Sequence, residues 1–175
     1  MKNALAERVD RTLRDVPDFP KPGILFKDIT PVLEDGELFT TVTNYFAERY
    51  EAMGLTKLVA IESRGFIFGA AIAHELSMGL VLARKPGKLP AEKVGVDYAL
   101  EYGTDRIEVH KDALGPKDRV VVIDDLLATG GTAGATVDLV HQLGAKVVEC
   151  GFLISLDFLD GAKRLNVPHH AIVHY

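Results

Sequence analysis

One stretch near the middle of the chain constrains its fold more than any other. Residues 120–123 form an apolar, β-branched run, and two adjacent carboxylates, Asp124 and Asp125, follow it directly. Such a run predicts a buried parallel strand, which here would end at the acidic pair. A segment rich in glycine and threonine at 128–132 and a helical pattern at 133–143 come next. This order predicts a binding site at the carboxyl end of a strand, where open α/β sheets bind ligands.

The segment beyond the acidic pair, called the phosphate loop below, consists of Ala128, Thr129, Gly130, Gly131 and Thr132. Its glycines can adopt backbone angles that other residues avoid, so that successive N–H groups converge on one point. The following helix adds the positive end of its dipole, and the two threonines add hydroxyl donors. The segment lacks a cation and lacks the lysine of a Walker loop, so we expect it to bind a monophosphate.

The acidic pair predicts a different chemical group from the phosphate loop. Carboxylates repel phosphate but accept hydrogen bonds from sugar hydroxyls. A phosphate loop that follows closely on Asp124 and Asp125 therefore predicts a site for ribose 5-phosphate. The alternative is an ordinary strand, turn and helix whose turn residues are polar.

Length and composition predict a single domain, 1–175, and narrow the class of partner. A chain of 175 residues can bury one full core. Its net charge is −5 and it has no basic stripe, so we expect no nucleic-acid partner. No run of 18 apolar residues occurs, so we expect no membrane span. The single cysteine, Cys150, lies in an apolar run, which predicts a buried thiol and a reducing, cytoplasmic compartment.

Helical and strand patterns alternate along the chain. Helices are predicted at 3–15, 36–50, 66–76 and 160–165, and further strands at 57–61, 80–83, 145–155 and 171–175. This alternation predicts an α/β fold with a mainly parallel central sheet flanked by helices and joined by right-handed crossovers.

Two further segments interrupt the alternation of strands and helices. Residues 97–101 and 106–110 predict a β-hairpin, preceded by a mobile loop at 91–96. A hairpin inserted into an α/β pattern often forms a lid. Near the amino terminus, prolines end the first helix, and the apolar segment 23–30 follows. That segment is either a packing flap or a lid over a bound base.

A second candidate anion site follows the predicted strand 57–61. Ser63 and Arg64 would lie at the same edge of the sheet as the acidic pair, and the guanidinium offers a fork of donors to phosphate oxygens. The alternative is a surface arginine at a helix start. Arg84 and Lys88 belong to a basic segment that is either solvated or a clamp for a diphosphate.

Glu101 is the candidate general acid of the hairpin. Its neighbours Tyr98, Leu100 and Tyr102 are large and mostly apolar, and the desolvation that they cause would suit a proton-transfer role. A single glutamate on a hairpin is more often only solvated.

Six segments together resemble the type I phosphoribosyltransferases that act on purine bases. The segments are 19–23, 26–31, 62–66, 84–90, 98–103 and 124–132. The resemblance implies the fold of that family, with an N-terminal hood over the base at 1–35 and a flexible lid at 85–107. It implies transfer of the phosphoribosyl group from 5-phosphoribosyl 1-diphosphate to a purine, expected to be adenine, which yields AMP and diphosphate.

The resemblance also implies a role for each candidate residue. Asp124 and Asp125 would meet the ribose hydroxyls, the phosphate loop would hold the 5′-phosphate, and Glu101 would move a proton at the base. The diphosphate would meet Ser63, Arg64, Arg84 and Lys88, and the base would meet Leu25, Phe26, Lys27 and Leu126. Mg²⁺ would arrive with the substrate, without a direct protein ligand, and a homodimer is expected.

Two positions depart from the family pattern, and two alternative functions stay open. Lys27 stands where arginine is frequent, and Glu62 where aspartate is frequent. The resemblance predicts a cis peptide bond between Glu62 and Ser63. The alternatives are transfer to another purine, and a regulator that senses 5-phosphoribosyl 1-diphosphate without catalysis.

Overall fold

The computed structural model describes residues 2–99 and 103–175. The helices are α1 (Lys2–Thr12), α2 (Thr30–Glu34), α3 (Gly36–Glu51), α4 (Gly65–Glu75) and α5 (Gly131–Gln142). The strands are β1 (Arg14–Pro17), β2 (Leu25–Asp28), β3 (Lys57–Ile61), β4 (Gly79–Ala83), β5 (Lys93–Ala99), β6 (Thr104–His110), β7 (Arg119–Leu127), β8 (Lys146–Ser155) and β9 (His169–His174). Short 3₁₀ turns at Asp157–Leu159 and Gly161–Arg164 connect β8 to β9.

The main sheet has five parallel strands in the order β4-β3-β7-β8-β9, which confirms the predicted α/β fold. Parallel neighbours need crossover connections, so the helices cover both faces. Successive residues of β7 point to opposite faces. Val120 and Val122 face a core that includes α5 and the hairpin, whereas Val121 and Ile123 face one that includes α1, α3 and α4. β7 is the middle strand, so its carboxyl end lies at the centre of the sheet edge.

The predicted end of β7 was wrong. The strand continues through the acidic pair to Leu127, because its pairing with β8 continues at Asp124, Leu126 and Leu127. A polar residue does not end a strand whose neighbour still offers hydrogen-bond partners. The acidic pair is therefore held by the sheet itself and not by a loop.

The amino-terminal segment also differs from its prediction. The first helix ends at Thr12 and not at residue 15, and β1 then pairs antiparallel with β2, which lies inside the apolar segment 23–30. The short helix α2 follows, with Pro31 in its first turn. A strand of only four residues beside prolines has too short a pattern to be predicted from its own sequence. These two strands form because they pair with each other.

The hairpin prediction is confirmed, with longer strands than expected. β5 and β6 pair antiparallel from Lys93 with His110 to Ala99 with Thr104. The predicted loop at 91–96 was wrong in its second half, because Val94 and Val96 pack against the core beneath the hairpin. Residues 100–102, which include Glu101, lie outside the described residues.

Smaller differences occur near the carboxyl end. The helix predicted at 160–165 is a 3₁₀ turn, and the last strand begins at His169 and not at 171. Cys150 is buried, as predicted. Among the helices of the described residues, none has the length and apolar character that a membrane crossing requires.

Candidate functional site

A cavity of about 90 Å³ lies where β7 leads into α5. It is lined by Asp124, Leu126, Leu127, Ala128, Thr129, Gly130, Gly131, Thr132 and Ala133. Gly130 has a φ of +75° and precedes the first residue of α5, so it turns the chain from the strand into the helix. The first turn of a helix has N–H groups without partners in the helix, and the helix dipole is positive there. The cavity can therefore accept an anion such as a phosphate.

Gly161, in the second 3₁₀ turn, presses directly against the phosphate loop. A Cβ atom on Gly161 would lie 2.0 Å from the carbonyl oxygen of Ala128 and 2.9 Å from the nitrogen of Gly130. A Cβ on Gly130 would lie 2.2 Å from the carbonyl oxygen of Gly161. The two backbones pack so closely that only glycines fit, and the turn therefore fixes the position of the loop. The sequence prediction missed Gly161, because the contact joins segments that are far apart in the chain.

The two carboxylates of the acidic pair have different environments. Asp125 is 4% exposed, and its Oδ2 accepts a hydrogen bond of 2.5 Å from Nε of Arg64. Asp124 lines the cavity, and its Oδ1 accepts the N–H of Asp125 at 2.8 Å. Burial, and then the neighbouring charge of Asp125, raise the pKa of Asp124 well above its usual value. The two carboxylates therefore resist carrying two negative charges at once, and a hydrogen-bond donor such as a sugar hydroxyl would stabilise the charged form of Asp124.

The substitution Asp124→Asn is expected to raise the melting temperature of the ligand-free protein by about 2–4 °C, the shift that about 1 kcal/mol produces at this size. Asparagine keeps the acceptor for the Asp125 N–H and removes the repulsion. The pKa of Asp124 is raised on folding, so above pH of about 3.9 the unfolded chain releases a proton that the folded protein retains. Stability of the unmodified protein therefore falls as the pH rises, and the advantage of the variant grows.

Differential scanning fluorimetry of both proteins across a pH series measures this effect. The same variant is expected to bind ribose 5-phosphate more weakly, because the asparagine amide offers one acceptor oxygen where the carboxylate offers two. Equal melting temperatures of the variant and the unmodified protein at every pH would contradict the inference that the charge of Asp124 destabilises the folded protein.

The loop between β3 and α4 lies beside the acidic pair, as predicted. A Cβ on Gly65 would lie 2.6 Å from the carbonyl oxygen of Ile123 and 3.0 Å from Oδ1 of Asp124. This close approach brings Ser63 and Arg64 to the edge where β7 ends. The peptide bond between Glu62 and Ser63 is cis, as the resemblance predicted.

Glu62 connects this loop to the basic segment. Its carboxylate accepts a hydrogen bond of 3.1 Å from Nε of Arg84 and one of 3.0 Å from the N–H of Lys85. Arg84 also donates to the carbonyl oxygen of Lys88 at 3.3 Å. The structure thus places Arg84 beside the Ser63 loop, while the Lys88 side chain is exposed.

The structure brings part of the predicted base site towards the acidic pair. The guanidinium of Arg64 lies 5.5 Å from the ring centre of Phe26, whose ring also meets that of Phe19 at 5.1 Å. Leu25, beside Phe26, is 50% exposed. Leu126 follows the acidic pair in the chain and lines the cavity together with Asp124.

The side chain of Lys27 is bound by the amino- and carboxyl-terminal segments. Its Nζ forms an ion pair of 2.6 Å with Asp15 and lies 3.9 Å from the ring centre of Tyr175. Among the described residues, Lys27 does not belong to the lining of the cavity, so its side chain gives no support for the predicted contact with a base.

The carbonyl oxygen of Ala99 lies 3.4 Å from the position of a Cβ on Gly131. Ala99, the last described residue before Glu101, therefore lies against the phosphate loop. Glu101 itself is outside the described residues, and its role stays a prediction.

Comparisons with known proteins agree with this geometry. Residues 31–173 match the family described as the phosphoribosyl transferase domain. The chain belongs to the phosphoribosyltransferase family.

Its relatives within that family are adenine phosphoribosyltransferases. The adenine phosphoribosyltransferase of Trichlorobacter lovleyi is 52% identical over 91% of this chain and 93% of its own. The crystal structure of the enzyme of that name from Thermoanaerobacter pseudethanolicus has a TM-score of 0.94 at 47% identity, covering 97% of this chain and 99% of the other. The crystal structure of the Saccharomyces cerevisiae protein has a TM-score of 0.93 at 38% identity, covering 97% of this chain and 99% of the other. That protein is complexed with D-2,5-dideoxy-2,5-imino-altritol 1,6-bisphosphate and adenine.

Proposed function

We propose that this chain transfers the 5-phosphoribosyl group from 5-phosphoribosyl 1-diphosphate to adenine and releases AMP and diphosphate. The observation that carries the proposal is the shared cavity of Asp124 and the phosphate loop, in a chain about half identical to adenine phosphoribosyltransferases over almost its whole length. The relatives support adenine as the base, and the geometry of the cavity supports the assignment of a ribose-phosphate site.

The reaction exchanges one bond at the sugar. N9 of adenine attacks C1′, the bond from C1′ to the diphosphate oxygen breaks, and the base loses its imidazole proton from N7 to the carboxylate of Glu101. Positive charge develops on the sugar, so a nearby pair of carboxylates favours the transition state. We assign Asp124 and Asp125 to the ribose hydroxyls and the phosphate loop to the 5′-phosphate, which holds the sugar still during the displacement.

The leaving diphosphate needs positive charge and hydrogen-bond donors. We assign Ser63, Arg64, Arg84 and Lys88 to it, because the loop after β3 and the basic segment meet through Glu62. Arg64 is paired with Asp125 in this structure. Its guanidinium must therefore turn away from the ribose site when the sugar hydroxyls take its place.

Mg²⁺ fits this site as a companion of the substrate. The ion takes oxygen ligands and is commonly bound through substrate phosphates together with few carboxylates. The acidic pair lies beside the predicted ribose hydroxyls, so it would orient those hydroxyls toward an ion that the substrate carries. When bound, Mg²⁺ neutralises charge on the leaving diphosphate.

The base is expected between the hood and the cavity. Leu25, Phe26 and the main chain of Lys27 would meet adenine on one side and Leu126 on the other. The exposed Leu25 side chain and the proximity of Phe26 to Arg64 support this placement. Glu101 would meet the base near N7 and move a proton.

A diphosphate-release assay with adenine, hypoxanthine, guanine and xanthine, each with 5-phosphoribosyl 1-diphosphate and Mg²⁺, tests the proposal. We expect turnover with adenine that exceeds turnover with the other purines. Preference for another purine would reassign the base, and binding of the diphosphate substrate without turnover on any base would favour a regulator.

We also propose a homodimer and a cytoplasmic location. The dimer rests on the family resemblance, and the location rests on the single buried thiol of Cys150. Sedimentation of the purified chain tests the first, and cell fractionation tests the second.

A further inference from the structure

The hydroxyl of Tyr98 connects the hairpin to the basic segment and to the start of α5. Tyr98 lies on β5 and is 9% exposed. Its oxygen accepts hydrogen bonds from Nζ of Lys85 at 2.6 Å and from Oγ1 of Thr132 at 3.0 Å, and it donates to Oδ2 of Asp105 at 3.2 Å. Lys85 and Asp105 also form an ion pair with each other.

These contacts use the full capacity of the phenol group, which has one proton to donate and two lone pairs to accept. The orientation of the hydroxyl is therefore fixed by its partners. The hydrogen bond from Lys85 holds the pKa of Asp105 below its usual value. Asp105 is therefore charged at neutral pH and is a strong acceptor for Tyr98.

The same side chain rests on the phosphate loop. Cδ2 of Tyr98 lies 3.1 Å from the position that a Cβ on Gly131 would occupy. The hydroxyl proton of Thr132, which we assign to the phosphate site, points at Tyr98 in this structure. A hydroxyl has one proton, so Thr132 cannot donate to Tyr98 and to a phosphate oxygen at the same time.

We propose that Tyr98 is a positioning residue that couples the paired strands β5 and β6 of the hairpin to the occupancy of the phosphate loop. Tyr98 packs against the phosphate loop and so helps to fix the position of the backbone that binds the 5′-phosphate. When a phosphate binds and takes the hydrogen bond of Thr132, the Tyr98 hydroxyl loses that partner, and this change is transmitted to the hairpin. The coupling is reciprocal, so a change in the hairpin must alter phosphate affinity. This inference rests on the proposed function, since it concerns the same ribose-phosphate site.

The test is Tyr98→Phe, which keeps the ring and removes the hydroxyl. Without the hydroxyl, Thr132 no longer has to give up a hydrogen bond to Tyr98 before it donates to a phosphate oxygen, and the energy of one such bond corresponds to roughly a tenfold change in affinity. We expect about that gain in the affinity for ribose 5-phosphate, measured by calorimetry, and about the same fall in KM for 5-phosphoribosyl 1-diphosphate, with KM for adenine unchanged. Tyr45→Phe is the matched control, because the Tyr45 hydroxyl meets Nε2 of His170 at 2.9 Å, between α3 and β9.

A purely structural role would lower the melting temperature in both variants and leave both KM values unchanged, which would overturn the inference. The second test places Tyr98→Phe in a Thr132→Val background. If the coupling runs through the contact between the two hydroxyls, Tyr98→Phe has no further effect there. An undiminished tenfold effect in that background would also overturn it.

Binding and turnover measured on the unmodified protein distinguish a failure of this inference from a failure of the proposed function. If it neither binds ribose 5-phosphate nor turns over, the proposed function fails and the coupling fails with it. If it does both and Tyr98→Phe behaves identically, only the coupling fails.

Discussion

Replacing Glu101 with glutamine is expected to lower kcat by roughly 10²–10⁴-fold, the usual contribution of a positioned general acid or base. The base must lose its imidazole proton as the bond from N9 to C1′ forms, so a proton acceptor at the base is part of the step. Glutamine retains hydrogen bonding and similar size but cannot exchange a proton. Binding of 5-phosphoribosyl 1-diphosphate is expected to persist, because the phosphate loop and acidic pair are untouched. Steady-state kinetics and a separate titration with that substrate measure the two quantities.

Glu92→Gln is the matched control for this experiment. Glu92 lies just before β5 and pairs with Lys111 at 2.7 Å, with 76% of its side chain exposed. The control removes a charge of the same kind from the stem of the same hairpin, so it reports any general electrostatic effect. A near-normal kcat for Glu101→Gln, or an equal loss in the control, would exclude Glu101 from the chemistry.

The sequence predicted those parts of the fold that are determined by residues close together in the chain. The run before Asp124 and the glycines after it are neighbours in the chain, so the strand, the phosphate loop and α5 were all predictable. The alternation of 97–101 and 106–110 likewise predicted the hairpin. By contrast, β1 and β2 were missed, because their pairing is set by a contact across the hood and not by the residues of either strand.

The same distinction applies to the site. The contact between Glu62 and Arg84 could have been predicted from the sequence. Ile61 and Ala83 are paired in neighbouring parallel strands, and Glu62 and Arg84 are the residues that directly follow them. Tyr98 and Asp105 are direct cross-strand partners, but that register depends on a turn whose length the sequence left open. The sequence prediction treated Tyr98 only as an apolar neighbour of Glu101. Its burial against the phosphate loop became visible only in three dimensions.

Gly161→Ala is expected to weaken binding of 5-phosphoribosyl 1-diphosphate on the order of 100-fold, because displacement of a binding group by about 1 Å can have that effect. The added Cβ would lie 2.0 Å from the carbonyl oxygen of Ala128, so the phosphate loop or the 3₁₀ turn must move. The opposing atoms belong to the backbone, and no change of rotamer can relieve the clash. Overpacking of this kind also lowers the free energy of unfolding by about 1–3 kcal/mol. Titration with ribose 5-phosphate and thermal melting measure the two effects.

Gly115→Ala separates this contact from a general cost of replacing glycine. A Cβ on Gly115 would have no atom within 4 Å, and neither Gly115 nor Gly161 has a positive φ. Backbone strain is therefore absent in both variants, and only Gly161→Ala introduces a clash. We expect the control to bind ribose 5-phosphate normally. If Gly161→Ala binds it equally well, the 3₁₀ turn does not set the position of the phosphate loop. If it melts earlier yet binds normally, the contact stabilises the fold without shaping the site.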